Sequence, residues 1–156
     1  MGVEIERKFL IENDFWKNEI KEEVLIKQGY LNSEAERTVR VRTYGEQGFL
    51  TIKSKSQHLT RKEFEYQIPL ADAQDLLNLC EKPIIEKKRF LVFSGDKTWE
   101  IDVFEGENEG LVVAEIELIS EEETFEIPHW LGKEVSSDSR YYNSSLITNP
   151  YTNWQK

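Results

Sequence analysis

Glu4, Glu6 and Lys8 alternate with the apolar Val3, Ile5 and Phe9, with Arg7 as the one break in the pattern. Arg40 and Arg42 alternate in the same way with Val39 and Val41, and Glu115 and Glu117 with Ile116 and Leu118. Extended backbone turns successive side chains to opposite faces, so each of these segments carries one ionic and one apolar face. Guanidinium forks match phosphate oxygens, and paired carboxylates match a hard divalent cation. Ionic faces of both signs, brought together, would suit a polyanion and its metal.

The segments that must position these groups read mostly as strands. Residues 3–11 form the first, followed by a polar, helix-compatible connection over 12–22. A second strand covers 24–31, and 38–44 and 49–55 make a hairpin-like pair around Gly45 and Gly48. Over 61–68, Glu63 and Glu65 share one face and Phe64 and Tyr66 the other. The spacing of Leu70, Ala73, Leu76, Leu77 and Leu79 predicts an amphipathic helix that Pro83 stops. Residues 84–93, 98–104 and 111–119 bring the total to about eight strands, joined by turns at Ser94-Gly95-Asp96 and 106–110. After Pro128 the pattern is mixed, with a short helix expected near Trp130 and another after Arg140. No repeat or linker divides residues 1–156, so one domain is expected.

Parity extends the ionic set. Lys53 shares a face with Thr51, and Lys87 shares one with Arg89. Asp102 lies between Ile101 and Val103. A half-exposed sheet whose polar face meets water explains any one of these strands. A closed barrel with charges inside explains why arginines come in i, i+2 pairs on some strands and carboxylates in pairs on others. Closure would remove the sheet edges. The lumen would then have to stay hydrated, with its ions paired to one another or to a charged ligand. Its apolar exterior would need cover from the helices and the aromatic-rich tail.

The bulk numbers narrow the classes. A formal charge of −10 opposes binding to duplex nucleic acid or an anionic membrane, although a local cationic pocket is compatible with it. The single cysteine, Cys80, sits in the helical apolar pattern and reads as a buried thiol. There is no apolar run long enough to span a bilayer and no secretory signal, so a soluble, reducing, cytoplasmic setting is expected. His58 and His129 read as solvated, and Ser54, Ser56 and Ser94 lack a nearby base. The Glu121-Glu122-Glu123 run reads as a solvated helix start, and Tyr30 and Tyr141 as packing groups.

The opening Glu4-Ile5-Glu6-Arg7-Lys8-Phe9-Leu10 resembles the Glu-x-Glu-x-Lys signature of the CYTH superfamily, the triphosphate tunnel metalloenzymes. The similarity continues through Gln28-Gly29-Tyr30-Leu31, Val39-Arg40-Val41-Arg42 and Leu50-Thr51-Ile52-Lys53. It resumes at Arg61-Lys62-Glu63-Phe64-Glu65, Glu86-Lys87-Lys88-Arg89, Asp102-Val103-Phe104, Glu115-Ile116-Glu117 and Arg140-Tyr141-Tyr142-Asn143. These matches run in family order along nearly the whole chain.

The resemblance implies a mainly β (α+β) fold: an eight-stranded antiparallel β-barrel tunnel with a charged lumen and peripheral helices. It also implies a linear triphosphate substrate and a divalent metal, Mg2+ or Mn2+. The compact length and the Gln-Gly-Tyr-Leu strand look most like small bacterial inorganic triphosphatases. Cyclase and thiamine triphosphatase members tend to carry an aromatic-Asp-Thr segment where Asn32-Ser33-Glu34 stands here. Ser144 and Ser145 stand where a basic residue often follows the Asn.

On this likeness Lys8, Arg40, Arg42, Lys53, Arg61, Arg89 and Arg140 form the substrate cradle. Glu4, Glu6, Asp102, Glu115 and Glu117 hold metal, and Glu63 and Glu65 orient cradle arginines. Lys87 stabilises or protonates the leaving group, and Glu4 or Glu6 accepts the proton of the attacking water. The expected reaction is hydrolysis of tripolyphosphate to pyrophosphate and phosphate. A nucleoside triphosphatase or a class IV-type adenylyl cyclase is the enzyme alternative, and a non-catalytic polyphosphate- or nucleotide-binding protein is the alternative outside catalysis. A homodimer is compatible with the family.

Overall fold

The alternating segments close on themselves. In the computed structural model, which describes residues 2–154, the strands are β1 (Gly2–Ile11), β2 (Ile20–Asn32), β3 (Arg37–Tyr44), β4 (Gln47–Ser54) and β5 (Thr60–Ile68). After helix α1 (Leu70–Leu77) come β6 (Ile85–Ser94), β7 (Lys97–Phe104), β8 (Val112–Glu117) and β9 (Leu131–Glu134). The sheet order is β5-β4-β3-β2-β6-β7-β8-β1-β9, and pairing of β5 with β1 closes eight of the strands into an antiparallel barrel. β1 makes the seam. Its first residues pair with β5, Glu4 opposite Arg61, while Glu6 to Leu10 pair on the other edge with β8.

Register puts the ionic faces picked out by the alternation inside. Glu63 lies opposite Lys53 and Glu65 opposite Thr51. Arg89 lies opposite Asp102, and Glu115 is flanked by Lys8 and Glu100. A one-residue slip in any strand would turn its charges outward. The hairpin joining β3 to β4 turns at Gly45, whose φ of +60° suits a residue without Cβ.

Outside the barrel the apolar faces are covered in two places. Phe9, Trp99, Ile101, Ala114 and Ile116 pack under Trp16, Trp130 and Phe125. Trp99 meets Phe9, Phe125 and Trp130 edge-on at 5.5–5.7 Å between ring centroids. On the opposite side α1 lays Ala73 and Leu77 over Val41, with Cys80 buried beside them, as its sequence pattern anticipates.

Three local expectations change. The 12–22 connection holds only a short 3-10 turn, Phe15–Glu19, and β2 already starts at Ile20. The residues after Trp130 form β9, because the edge of β1 that β5 leaves behind still has backbone groups to satisfy: Phe9 pairs with Glu134 and Ile11 with Leu131. The tail also goes inside instead of lying over the exterior. Leu146 and Ile147 are buried against the inward-facing Leu10, Tyr30, Ile85, Phe104 and Val113, filling one end of that half of the barrel. Lumen positions on β1, β6, β7 and β8 are thus apolar where the tail enters and ionic further along, while β2 keeps the uncharged Gln28 and Ile26 inside.

Candidate active site

The inward charges enclose a cavity of about 290 Å3. Glu4, Glu6 and Lys8 reach it from β1, Arg40 and Arg42 from β3, and Lys53 from β4. β5 contributes Arg61, Glu63 and Glu65, β6 contributes Lys87 and Arg89, and β8 contributes Glu115 and Glu117. Residues far apart in sequence thus share one wall because each occupies an inward position of a closed sheet.

The cations are paired, but not exhausted. Lys53 Nζ donates to both oxygens of Glu4 at 3.0 and 3.1 Å and lies 3.4 Å from Glu63, and Arg61 Nε donates to Glu4 at 3.2 Å. Glu65 accepts from Thr51 at 2.8 Å and lies 3.5 and 3.6 Å from Arg40 and Arg42. The Nε groups of Arg40 and Arg42 are buried without a hydrogen-bond partner. An orphaned buried donor is costly, and an oxyanion in the lumen would satisfy it. Burial first, then the neighbouring Arg40 and Arg89, push the Arg42 guanidinium down to about 10. Arg40 and Arg42 therefore share one carboxylate, Glu65.

The deeper cations are held from below. Lys87 Nζ donates to Asn143 Oδ1 at 3.1 Å, and Gln28 Nε2 donates to the same oxygen at 3.2 Å. Lys8 Nζ donates to the Tyr141 carbonyl at 2.9 Å and lies 3.9 Å from Glu115. Burial lowers Lys87 to about 8 despite the pull of Asp102. The tail that plugs the barrel end thus also positions two lysines.

The acidic side has the opposite problem. Burial, followed by Glu115 and Glu4, pushes the Glu6 carboxyl well above its ordinary range. Burial would raise Glu115 too, but Lys8 and the hydrogen bond from Glu6 take it down to about 2. The two neighbouring carboxyls are thus pushed in opposite directions, and a hard cation between them would relieve their repulsion with oxygen donors of the right kind. Among the described residues no three Asp, Glu, His or Cys groups converge to enclose an ion. A partial set of carboxylates is what magnesium uses when water and substrate oxygens complete its shell, so the donor chemistry fits the divalent metal that the resemblance implies.

Two assigned residues lie elsewhere. Asp102 is inward-facing but sealed below the lumen surface, 1% exposed, with Arg89 across both oxygens at 2.8 and 3.0 Å and Lys87 at 2.7 Å. Its lone pairs serve two cations, which leaves no open side for a metal. Arg140 is on the exterior, paired with Asp138 at 2.7 Å and stacked over Tyr141 and Trp154. The tail turns its side chain away from the cavity while presenting Tyr142, Asn143 and Ser144 to it.

Other groups also line the lumen. Glu100 lines the cavity two residues before Asp102, and its parity with Asp102 was a sufficient signal. Gln28 and Asn143 stand inside motifs that resemble the family, but nothing in the sequence signals their meeting across 115 residues. His58 also reaches the cavity, held by Glu121 at 2.5 Å, and Glu121 accepts from Thr60 at 2.6 Å. The acidic run is no helix start, since Glu123 accepts from the Ile119 amide and pairs with Lys97. It stitches loops beside the lumen.

A closed antiparallel barrel with cations and carboxylates on one inner wall defines a class of protein that receives a small polyanion. The CYTH domain model matches residues 2–151, and the chain belongs to the CYTH family. An inorganic triphosphatase of Acetivibrio thermocellus is 47% identical over the full length of both chains. One from Nitrosomonas europaea is 37% identical over 92% of this chain and 95% of its own. A crystal structure of an inorganic triphosphatase superposes with a TM-score of 0.65 at 34% identity, covering 92% of this chain and 96% of that one.

Proposed function

We propose that the chain is an inorganic triphosphatase that hydrolyses tripolyphosphate to pyrophosphate and phosphate. The observation that carries this is the single cavity in which basic groups, two with unmet buried donors, stand beside the carboxyl pair Glu6 and Glu115. The full-length likeness to relatives named inorganic triphosphatase supports the substrate.

Arg40, Arg42, Arg89, Lys53, Arg61 and Lys8 would bind the phosphate oxygens and hold the chain straight, so that water meets the terminal phosphorus in line with the bridging oxygen. Glu4, Glu6, Glu115 and Glu117 would hold Mg2+ or Mn2+. Such an ion neutralises phosphate charge and lowers the pKa of bound water when present. As the water oxygen bonds to phosphorus, Glu4 or Glu6 accepts its proton. The bridging P–O bond breaks with its electron pair on pyrophosphate, and Lys87 meets that charge. Glu63 and Glu65 orient the cations, and Asp102 anchors Lys87 and Arg89. The buried free thiol of Cys80 suits a reducing, cytoplasmic setting.

The test is phosphate release from tripolyphosphate, ATP and pyrophosphate, each with Mg2+, with Mn2+ and with chelator. Metal-dependent cleavage with tripolyphosphate fastest is expected. Absence of metal-dependent turnover with every triphosphate overturns the assignment.

A further inference from the structure

Glu100 has no part in the cradle or the metal set described above, yet it faces the same cavity. Its Oε2 lies 3.2 Å from Arg89 Nη1, the one edge of that guanidinium which Asp102 leaves open. Strand direction places it. β3 runs toward the Gly45 turn, so Arg42 is nearer that end than Arg40, and Arg42 packs against Tyr44 and Phe49 at the end of the lumen. β6 runs the same way and β7 the opposite way, so Glu100 lies beyond Asp102 toward the same end.

Exposure orders the groups in depth. The side chains of Arg40, Arg42 and Arg89 are 12%, 12% and 8% exposed, whereas Glu65 is 31% and Glu100 is 40%. Glu65 and Glu100 are therefore the more exposed carboxylate partners of the three arginines. An anion that stops at the arginines gains all three. One that continues past them meets Glu65 and Glu100.

We infer that Glu100, with Glu65 as its partner, sets substrate length by repelling polyphosphates that extend beyond the arginine trio. The inference rests on the triphosphatase reading and deepens it. Like charges forced together discriminate against a wrong ligand more than opposite charges strengthen a right one. Glutamine at position 100 keeps the oxygen that accepts from Arg89 and removes the repulsion. Aspartate keeps the charge.

The experiment compares kcat/KM for tripolyphosphate and tetrapolyphosphate in wild type, Glu100→Gln, Glu100→Asp and Glu65→Gln, with calorimetric binding of both polyphosphates alongside. Glu100→Gln should raise the tetra-to-tripolyphosphate ratio about tenfold, mainly through KM. Glu65→Gln should move it the same way, and Glu100→Asp should leave it near the wild-type value. An equal fall for both substrates would reduce Glu100 to a positioning residue for Arg89 and overturn the inference. An unchanged ratio in both Gln variants would overturn it as well. If the wild type cleaves neither compound, the triphosphatase reading fails, and the binding ratio still decides whether Glu100 discriminates length.

Discussion

Asp102 and Glu6 are both acidic side chains on inward faces of the barrel, and their surroundings separate them. Asp102 is enclosed by Lys87 and Arg89, and although burial opposes ionisation, those two cations hold its carboxyl far below the ordinary range. Glu6 opens on the cavity beside other carboxyls and is pushed the other way. The first belongs to the architecture, since two buried cations depend on it. The second is kept at a cost to the fold, as groups reserved for a ligand often are. Depth and the sign of the nearest neighbours thus set two carboxyls of the same chemistry apart.

The sharpest break is Asp102→Ala. It would leave Lys87 and Arg89 buried without their anion, and losing one partner of a buried pair costs about 3–5 kcal/mol. Urea unfolding should show a loss of that size; a change below about 1 kcal/mol would place Asp102 among the exchangeable lumen groups.

Glu6→Gln should divide activity from stability. Turnover of tripolyphosphate should fall about 100-fold. Folding should be unharmed near neutral pH, with the sign set by linkage. A carboxyl whose folded pKa lies above its ordinary 4.5 keeps a proton that the unfolded chain has already released. Wild type therefore loses stability as pH rises above that value, and the glutamine variant escapes this loss. Thermal unfolding of both proteins across about pH 4–8 checks it.

Lys87 sharpens the comparison from the cationic side. With its ammonium lowered to about 8, first by burial, it is charged below that pH and neutral above it. The kcat/KM profile for tripolyphosphate should fall as pH passes about 8, and Lys87→Arg should carry that limb upward. The smallest effect should come from Arg140→Ala. The exposed pair with Asp138 lies outside the cavity, so a change of less than about twofold in kcat/KM is expected. A large loss would bring the tail's arginine back into the cradle.

Much of this site could be read from alternation. The i, i+2 charges on β1, β3, β5, β6 and β8 put the inward groups on the correct faces, because a strand has only two faces. The same rule indicated Glu100 through Asp102, although the motif drew attention to Asp102 alone. Arg140 was beyond this kind of reading. It stands in a 3-10 turn, Ser139–Tyr141, where no period of two applies. β9 was equally hidden, since four residues become a strand only where β1 offers an unpaired edge.

What the amino-acid sequence by itself determined is the separation of faces: which side chains are ionic, on which strands, and in which parity. That much is local, because it follows from backbone geometry one residue at a time. Only the tertiary structure decided how deep each charge sits and what stands opposite it. It sealed Asp102, opened Glu6 and Glu100 to the lumen, sent Leu146 and Ile147 into the barrel, and put Asn143 against Lys87. Burial and partner identity are properties of the closed barrel, and they set the charge state and availability of every group in it.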